Sequence, residues 1–486
     1  MKDLRRATDL RMFDGMKLIA LVLLLSGVTS PVVAQSLQQR VEAQLNAASP
    51  GTRFGLVVTD DSGKEVVAIN PEGRFIPASN TKMFTTAAAY WTMPGLDQPD
   101  TGGGTVAAML GKDVVLTGYG DARMSSAPNC ATDCLATLAD AIAAKTKRVR
   151  DIIGDATLWP DQRWSPGMSW NNVAERSGTG IAALSLDSNE LPLTVTASYP
   201  GMPPIIGFSS DYFTIDNRAK TTARGPTTID VKRLPFEQRV VVFGEIAVGA
   251  TPEKISLGID DPAHYTAWRL AALLKERGVR VKGEIRSRYK DESPLLPVVV
   301  AKSCPKKGCR QPEPPIPLAR LTPPPLADDI RTINKISQNL HADMLARRLS
   351  GGLTAIETML AKAGVARVAY DFADGSGMST YNRVAPRGAV TFLRWVAKQP
   401  WGMAWRASLP IGGIDGTISK RFKGTVLEGR IFAKTGGLNA TAALSGYMIA
   451  KSGRELTFSI LANDMPAGTR ATPMMDAALV AIAEAN

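Results

Sequence analysis

Histidine and cysteine are scarce: the 486-residue chain holds two of the first and four of the second. His264 and His341 do not combine with any cysteine at zinc-finger spacing, so no metal site is expected. Blocks of like charge are also missing. The 57 lysines and arginines against 45 aspartates and glutamates give a net charge of +12, but the cations are scattered and not interleaved with stacking aromatics. This excludes a nucleic-acid partner and leaves a general attraction to an anionic polymer or a membrane surface. Long apolar runs are absent too. Residues 18–27, behind Lys17, are almost wholly apolar but too short to span a bilayer, and Val32-Val33-Ala34 follows as a small-residue cleavage pattern. Residues 1–34 therefore read as a signal peptide rather than a membrane anchor, and an exported, periplasmic protein is expected. Cleavage after Ala34 removes five basic and three acidic side chains and leaves +10. The cysteines form two close pairs, Cys130 with Cys134 and Cys304 with Cys309. In an exported chain each pair most simply closes a local disulfide, with cross-pairing as the alternative.

What the chain does have is a helix, residues 37–45, and a hairpin, 54–59 with 66–69, whose turn is Asp61-Ser62-Gly63-Lys64. These lead into Pro77-Ala78-Ser79-Asn80-Thr81-Lys82-Met83-Phe84 at a predicted helix start. A helix there places Ser79 and Lys82 one turn apart on one face, as a hydroxyl nucleophile and an amine base. Lysine can serve as the base only if burial or a second cation lowers its pKa. The next residues, Thr85-Thr86-Ala87-Ala88-Ala89-Tyr90, are uncharged and mostly small, which suits a buried helix.

Beyond Trp91 the sequence turns to short apolar runs and glycine-containing loops as far as about Pro312. Residues 193–248 alternate like the strands of a small β module. A helix over 263–277 precedes a strand over 279–286, and residues 311–325, with seven prolines, read as a stiff extended connector. Residues 330–349 are helical in pattern and carry Ser337-Gln338-Asn339, a hydroxyl and an amide close to a bend. Lys434-Thr435-Gly436 sits on a predicted strand, two more strands follow at 444–450 and 456–461, and residues 471–485 close the chain as a helix.

Ser-x-x-Lys, Ser-x-Asn and Lys-Thr-Gly in this order form the signature set of penicillin-binding proteins and class A β-lactamases. The long interval between Ser79 and Ser337 resembles that of the D-alanyl-D-alanine carboxypeptidases of the penicillin-binding protein 4 type, peptidase family S13. Leu257-Gly258-Ile259-Asp260-Asp261-Pro262, Asp374-Gly375-Ser376-Gly377-Met378-Ser379 and Leu409-Pro410-Ile411-Gly412-Gly413-Ile414-Asp415-Gly416-Thr417 resemble the same family. The resemblance implies an α+β fold, with a transpeptidase-like domain of antiparallel sheet and helices carrying smaller inserted domains. Its bounds would be 35–97 with 313–486 for the catalytic domain, 98–190 with 253–312 for the first insertion, and 191–252 for a nested β-rich domain. A β-lactamase would need a deacylating glutamate between the second and third motifs. Glu42-Ala43-Gln44-Leu45-Asn46 matches the letters but precedes the nucleophile, and Glu357-Thr358-Met359-Leu360-Ala361 reads as an ordinary amphipathic helix. Penicillins should therefore inhibit the protein covalently.

The activity implied is hydrolysis of peptidoglycan stem peptides at D-Ala-D-Ala, as carboxypeptidase, endopeptidase or both, without a cofactor. A penicillin-binding scaffold of weak activity, binding peptidoglycan or cell-wall proteins, is the alternative. Resemblance makes Ser79 the nucleophile and Lys82 its base, with Ser337 and Lys434 handling the leaving group and Lys434 and Thr435 holding the terminal carboxylate. Asn339 would bond the substrate backbone, and Thr435, Gly436, Gly437, Ser376 and Met378 would line the substrate site. Similar proteins include dimers, so a homodimer is a further expectation. Three positions depart from the family pattern. Gly437 replaces the threonine that usually follows Lys-Thr-Gly, Thr380 stands where an arginine often reads the side-chain carboxylate of diaminopimelate, and around Trp170-Asn171-Asn172 an amide replaces the acidic residue that would read its amine.

Overall fold

The computed structural model describes residues 35–290 and 315–486. The expected signal peptide and the Cys304/Cys309 pair lie outside them. At the centre is a five-stranded antiparallel sheet in the order Glu65–Ile69, Arg53–Asp60, Glu455–Asn463, Thr441–Ile449, Ile431–Leu438. Period-two alternation sorts its side chains: Leu444 and Met448, with Leu456, Phe458 and Ile460, pack against Val41 and Leu45 of helix Leu37–Asn46 and Leu479 and Ile482 of helix Thr472–Glu484. Tyr447 points the other way and donates its hydroxyl to the Leu393 carbonyl at 2.7 Å, in a second core built from helices. Helix Thr81–Thr92 runs through that core and is buried from Thr81 to Ala89, which accounts for its small, uncharged residues. Among the described residues no helix is long and apolar enough to cross a membrane.

The long insertion builds a second five-stranded sheet, ordered Ile285–Lys290, Ile152–Pro160, Asp113–Thr117, Val106–Leu110, Ile316–Arg320, with helix Pro262–Glu276 packed on it. Smaller sheets follow, among them Glu190–Thr196 between Glu253–Gly258 and Ile205–Phe208. One apolar cluster holds all of this together and takes in Leu340 and Met344. Those two residues belong to helix Asn339–Arg348, so the insertion packs directly on the element that carries the second motif.

Three sequence expectations change. The strand foreseen over 279–286 is two strands, Arg280–Val281 and Ile285–Lys290, because Gly283 turns the chain against the Arg150 carbonyl, to which its N–H donates at 2.7 Å. The connector over 311–325 contains an edge strand, Ile316–Arg320, paired with Val106–Leu110, and an edge is where Pro317 can be tolerated. The helix foreseen over 330–349 is two, Leu326–Lys335 and Asn339–Arg348, broken by Ser337 at a φ of 63°. Cys130 and Cys134 are bonded to each other.

Candidate active site

The first motif begins one turn earlier than a simple helix start. Ser79 lies in a short 3-10 turn, Ala78–Asn80, which runs straight into helix Thr81–Thr92. Ala78 holds a φ of 47°, a left-handed conformation that costs a non-glycine residue on the order of 1 kcal/mol. Two close approaches keep it there. Gly377, at φ 90°, is packed so tightly that a β-carbon would fall 1.9 Å from the Ala78 carbonyl oxygen. A β-carbon on Gly436 would fall 2.3 Å from the Pro77 carbonyl oxygen. These are the physical reasons for glycine in Asp-Gly-Ser-Gly and in Lys-Thr-Gly.

Lys82 is fully buried, and its Nζ has three neighbours: Ser79 Oγ at 2.9 Å, Asn339 Oδ1 at 2.6 Å and the Ser376 carbonyl at 2.6 Å. The last two can only accept, since the Asn339 amide is oriented by its Nδ2 donating to the Ser177 carbonyl at 3.1 Å. A neutral amine therefore spends both N–H groups on them and directs its lone pair at the one neighbour able to donate, the Ser79 hydroxyl. Burial pulls the Lys82 pKa down to about 8; Asp343 and Asp374 resist, and the Arg176 charge adds to the fall. Burial, together with repulsion by Asp374, raises Asp343 to about 7, although it accepts from the Gly375 and Ser376 N–H groups at 2.8 and 3.0 Å.

Lys434 is likewise fully buried, on strand Ile431–Leu438, and donates to Ser337 Oγ at 2.9 Å and the Thr435 carbonyl at 3.0 Å. Burial and then the neighbouring Lys82 hold its pKa well below the ordinary lysine value. Thr435 Oγ1 lies 2.8 Å from Thr417 Oγ1. The three motifs thus meet in one place, and Ser79, Ser337, Asn339, Met378 and Gly437 line a cavity of about 620 Å³ with Asn172, Thr380 and Arg176.

Ser376 is placed differently from the expected substrate contact. Its side chain is fully buried, with Oγ 3.5 Å from Asp374 and 3.3 Å from the Met378 N–H, and its carbonyl serves Lys82 instead. Asn339, expected to bond substrate, spends its amide on Lys82 and Ser177. The Thr380 hydroxyl donates to the Gly167 carbonyl at 2.9 Å. Sequence reasoning did not single out Asn80, which ties the Ser79 turn to the third motif: Nδ2 donates to the Lys434 carbonyl at 2.7 Å and Oδ1 accepts from Ser445 at 2.6 Å. Its place between Ser79 and Lys82 was the available signal. Arg176, Ser177 and Glu190, from the insertion, carried none.

A model of the D-Ala-D-Ala carboxypeptidase 3 (S13) family matches residues 37–486. The D-alanyl-D-alanine carboxypeptidase of Actinomadura sp. (strain R39) is 30% identical over 487 residues, covering 92% of this chain and 84% of that protein. The D-alanyl-D-alanine carboxypeptidase DacB of Haemophilus influenzae is 25% identical over 460 residues, 87% of this chain and 89% of that one. The crystal structure of penicillin binding protein 4 (dacB) from Haemophilus influenzae has the same fold, with a TM-score of 0.74 at 22% identity over 92% of this chain and 98% of that one. That protein has also been solved with a β-lactam, at a TM-score of 0.67 and 21% identity over 90% of this chain and 97% of that one.

Proposed function

Because the chain belongs to the S13 family of D-Ala-D-Ala carboxypeptidases, we propose that its serine-type hydrolysis passes through an acyl-enzyme on Ser79. Its substrates are peptidoglycan stem peptides, cut at D-Ala-D-Ala as carboxypeptidase or across a cross-link as endopeptidase. The observation that carries this is the coordination of Lys82, whose Nζ lies 2.9 Å from Ser79 Oγ while its other two neighbours can only accept, so that the neutral amine turns its lone pair to the Ser79 hydroxyl. Ser79 Oγ attacks the carbonyl of the scissile amide as its proton passes to Lys82 Nζ. The C–N bond then breaks, and the departing D-alanine amine takes a proton through Ser337, which Lys434 polarises at 2.9 Å. Water cleaves the ester with Lys82 again as base. The backbone N–H groups of Ser79 and Gly437, on the same cavity, serve as the oxyanion hole, a contribution of about 10²-fold to 10³-fold in rate. Penicillins acylate Ser79 in the same way and leave slowly. Fluorescent penicillin labelling followed by D-alanine release from a pentapeptide tests the reading; a protein that does neither is not this enzyme.

Two further results are expected from the substitutions in the cavity. A β-carbon on Gly437 would meet nothing within 4 Å, so Gly437→Thr should fit. Its hydroxyl adds a bond to the terminal carboxylate and should raise kcat/KM on D-Ala-D-Ala peptides by about tenfold; an unchanged or lower value would refute this. With Thr380 and Asn172 uncharged, peptides with a free diaminopimelate side chain should gain no more than about tenfold over peptides lacking it, under ~1.4 kcal/mol. A kcat/KM ratio of several hundred would assign that reading to other residues.

A further inference from the structure

Arg176 is the single charged side chain among the residues lining the cavity. It stands in the short turn Arg176–Gly178, and its Nε lies 3.3 Å from Glu190 Oε1, with no hydrogen bond to its guanidinium among the described residues. The same Glu190 oxygen accepts from Gln338 Nε2 at 2.8 Å. Gln338 is almost fully buried and lies between Ser337, at a φ of 63°, and Asn339, whose amide is held by the carbonyl of Ser177. Residues 176–190 of the insertion therefore grip both sides of a strained bend that carries two of the reacting motif's side chains.

We propose that Glu190 is a positioning residue for acyl transfer: through Gln338 it fixes the Ser337 bend, and by pairing Arg176 it limits how strongly that cation bears on Lys82. The inference rests on Lys82 being the base. The argument for it is geometric. A left-handed serine relaxes unless its neighbours over-determine it. Here the only side-chain hydrogen bond of Gln338 among the described residues goes to Glu190. The electrostatic half follows from the inventory around Lys82: Asp343 from helix Asn339–Arg348, Asp374 from the loop behind it, Lys434 from the third-motif strand, and Arg176 across the cavity. Arg176 favours the neutral amine, Asp343 and Asp374 the ammonium, and Lys82 in turn lowers Lys434. Glu190 decides how much of the Arg176 charge is felt, without touching the reacting atoms.

Two variants separate the two halves. Glu190→Gln keeps an acceptor for Gln338 but unpairs Arg176, so the ammonium form of Lys82 is disfavoured further. The acid limb of penicillin acylation should move about half a pH unit lower, with the high-pH plateau within about threefold of wild type. Arg176→Gln should move the limb about half a unit the other way, and the double variant should restore it. Glu190→Ala loses the acceptor as well, and its plateau should fall about tenfold through the loosened bend. The comparison is made on full-length protein, with thermal unfolding measured alongside. If Glu190→Ala does not fold, Glu190→Gln and Arg176→Gln decide. A wild-type limb that neither variant moves overturns the proposal alone; a wild-type profile flat from pH 6 to 9 overturns the reading of Lys82 as base, and the proposal with it.

Discussion

Ser79→Ala should take no covalent label from a fluorescent penicillin and release no D-alanine, a loss of at least about 10⁴-fold, while folding as the parent does. The size follows from the chemistry: without the hydroxyl no ester forms, and the residual rate is whatever the oxyanion N–H groups can extract from water. The unchanged fold follows from the coordination of Lys82. Removing Ser79 Oγ costs it one of three neighbours and leaves Asn339 Oδ1 and the Ser376 carbonyl in place. The loss is about 1 kcal/mol at a half-buried position, with no buried group left unpaired. Labelling that survives, mapped to Ser337 or any other serine, would overturn the assignment.

Lys82→Ala should lower acylation by at least about 10²-fold, and it should also flatten the pH profile. With a pKa of about 8, roughly a tenth of the lysine is neutral at pH 7, so wild-type acylation should climb about tenfold between pH 6 and 7 and level off above 8. The sign is fixed by role: a base works as the neutral amine, whose population grows as pH rises through the pKa. In Lys82→Ala that limb disappears. Lys434→Ala, by contrast, should retain the limb and lose mainly recognition of the terminal carboxylate, as a rise in KM. A Lys82 variant that keeps the wild-type pH dependence would show that the limb belongs to another group.

That the Ser-x-x-Lys, Ser-x-Asn and Lys-Thr-Gly motifs meet in one place was legible because their residue types occur in local patterns in that order, and Ser79 with Lys82 or Ser337 with Asn339 are each one helical turn or less apart. The central sheet was legible through its period-two apolar residues. What escaped were features created by distant contact. A bend near Ser337 was expected, but not that it splits the helix in two, because the contact beside it, Gln338 meeting Glu190, comes from 148 residues earlier. Ser376 looked like a substrate contact because its motif is known by letters, whereas packing turns its hydroxyl to Asp374 and exposes only its carbonyl to Lys82. Asn80 drew no attention inside the first motif, yet it bridges to the third, with Nδ2 donating to the Lys434 carbonyl. The edge strand at Ile316–Arg320 was masked by prolines that an interior strand would not accept.

The central sheet has one more consequence, for the order in which the protein comes into being. Strand Arg53–Asp60 pairs along its whole length with Glu455–Asn463, so Arg53 stands opposite Asn463. Lys434 and Gly437, too, are supplied by a strand made late. A nascent chain that has already produced Ser79 and Lys82 still lacks the strand that carries Lys434 and Gly437, and its first hairpin waits with an open edge while most of the sequence is still being made. Closing a loop of that length is slow compared with forming local helices. Hydrolytic competence therefore arrives last, all at once, with the final strands. A chain cut short anywhere before residue 463 would lack part of the strand that strand Arg53–Asp60 needs along its whole length, and its central sheet would stay incomplete.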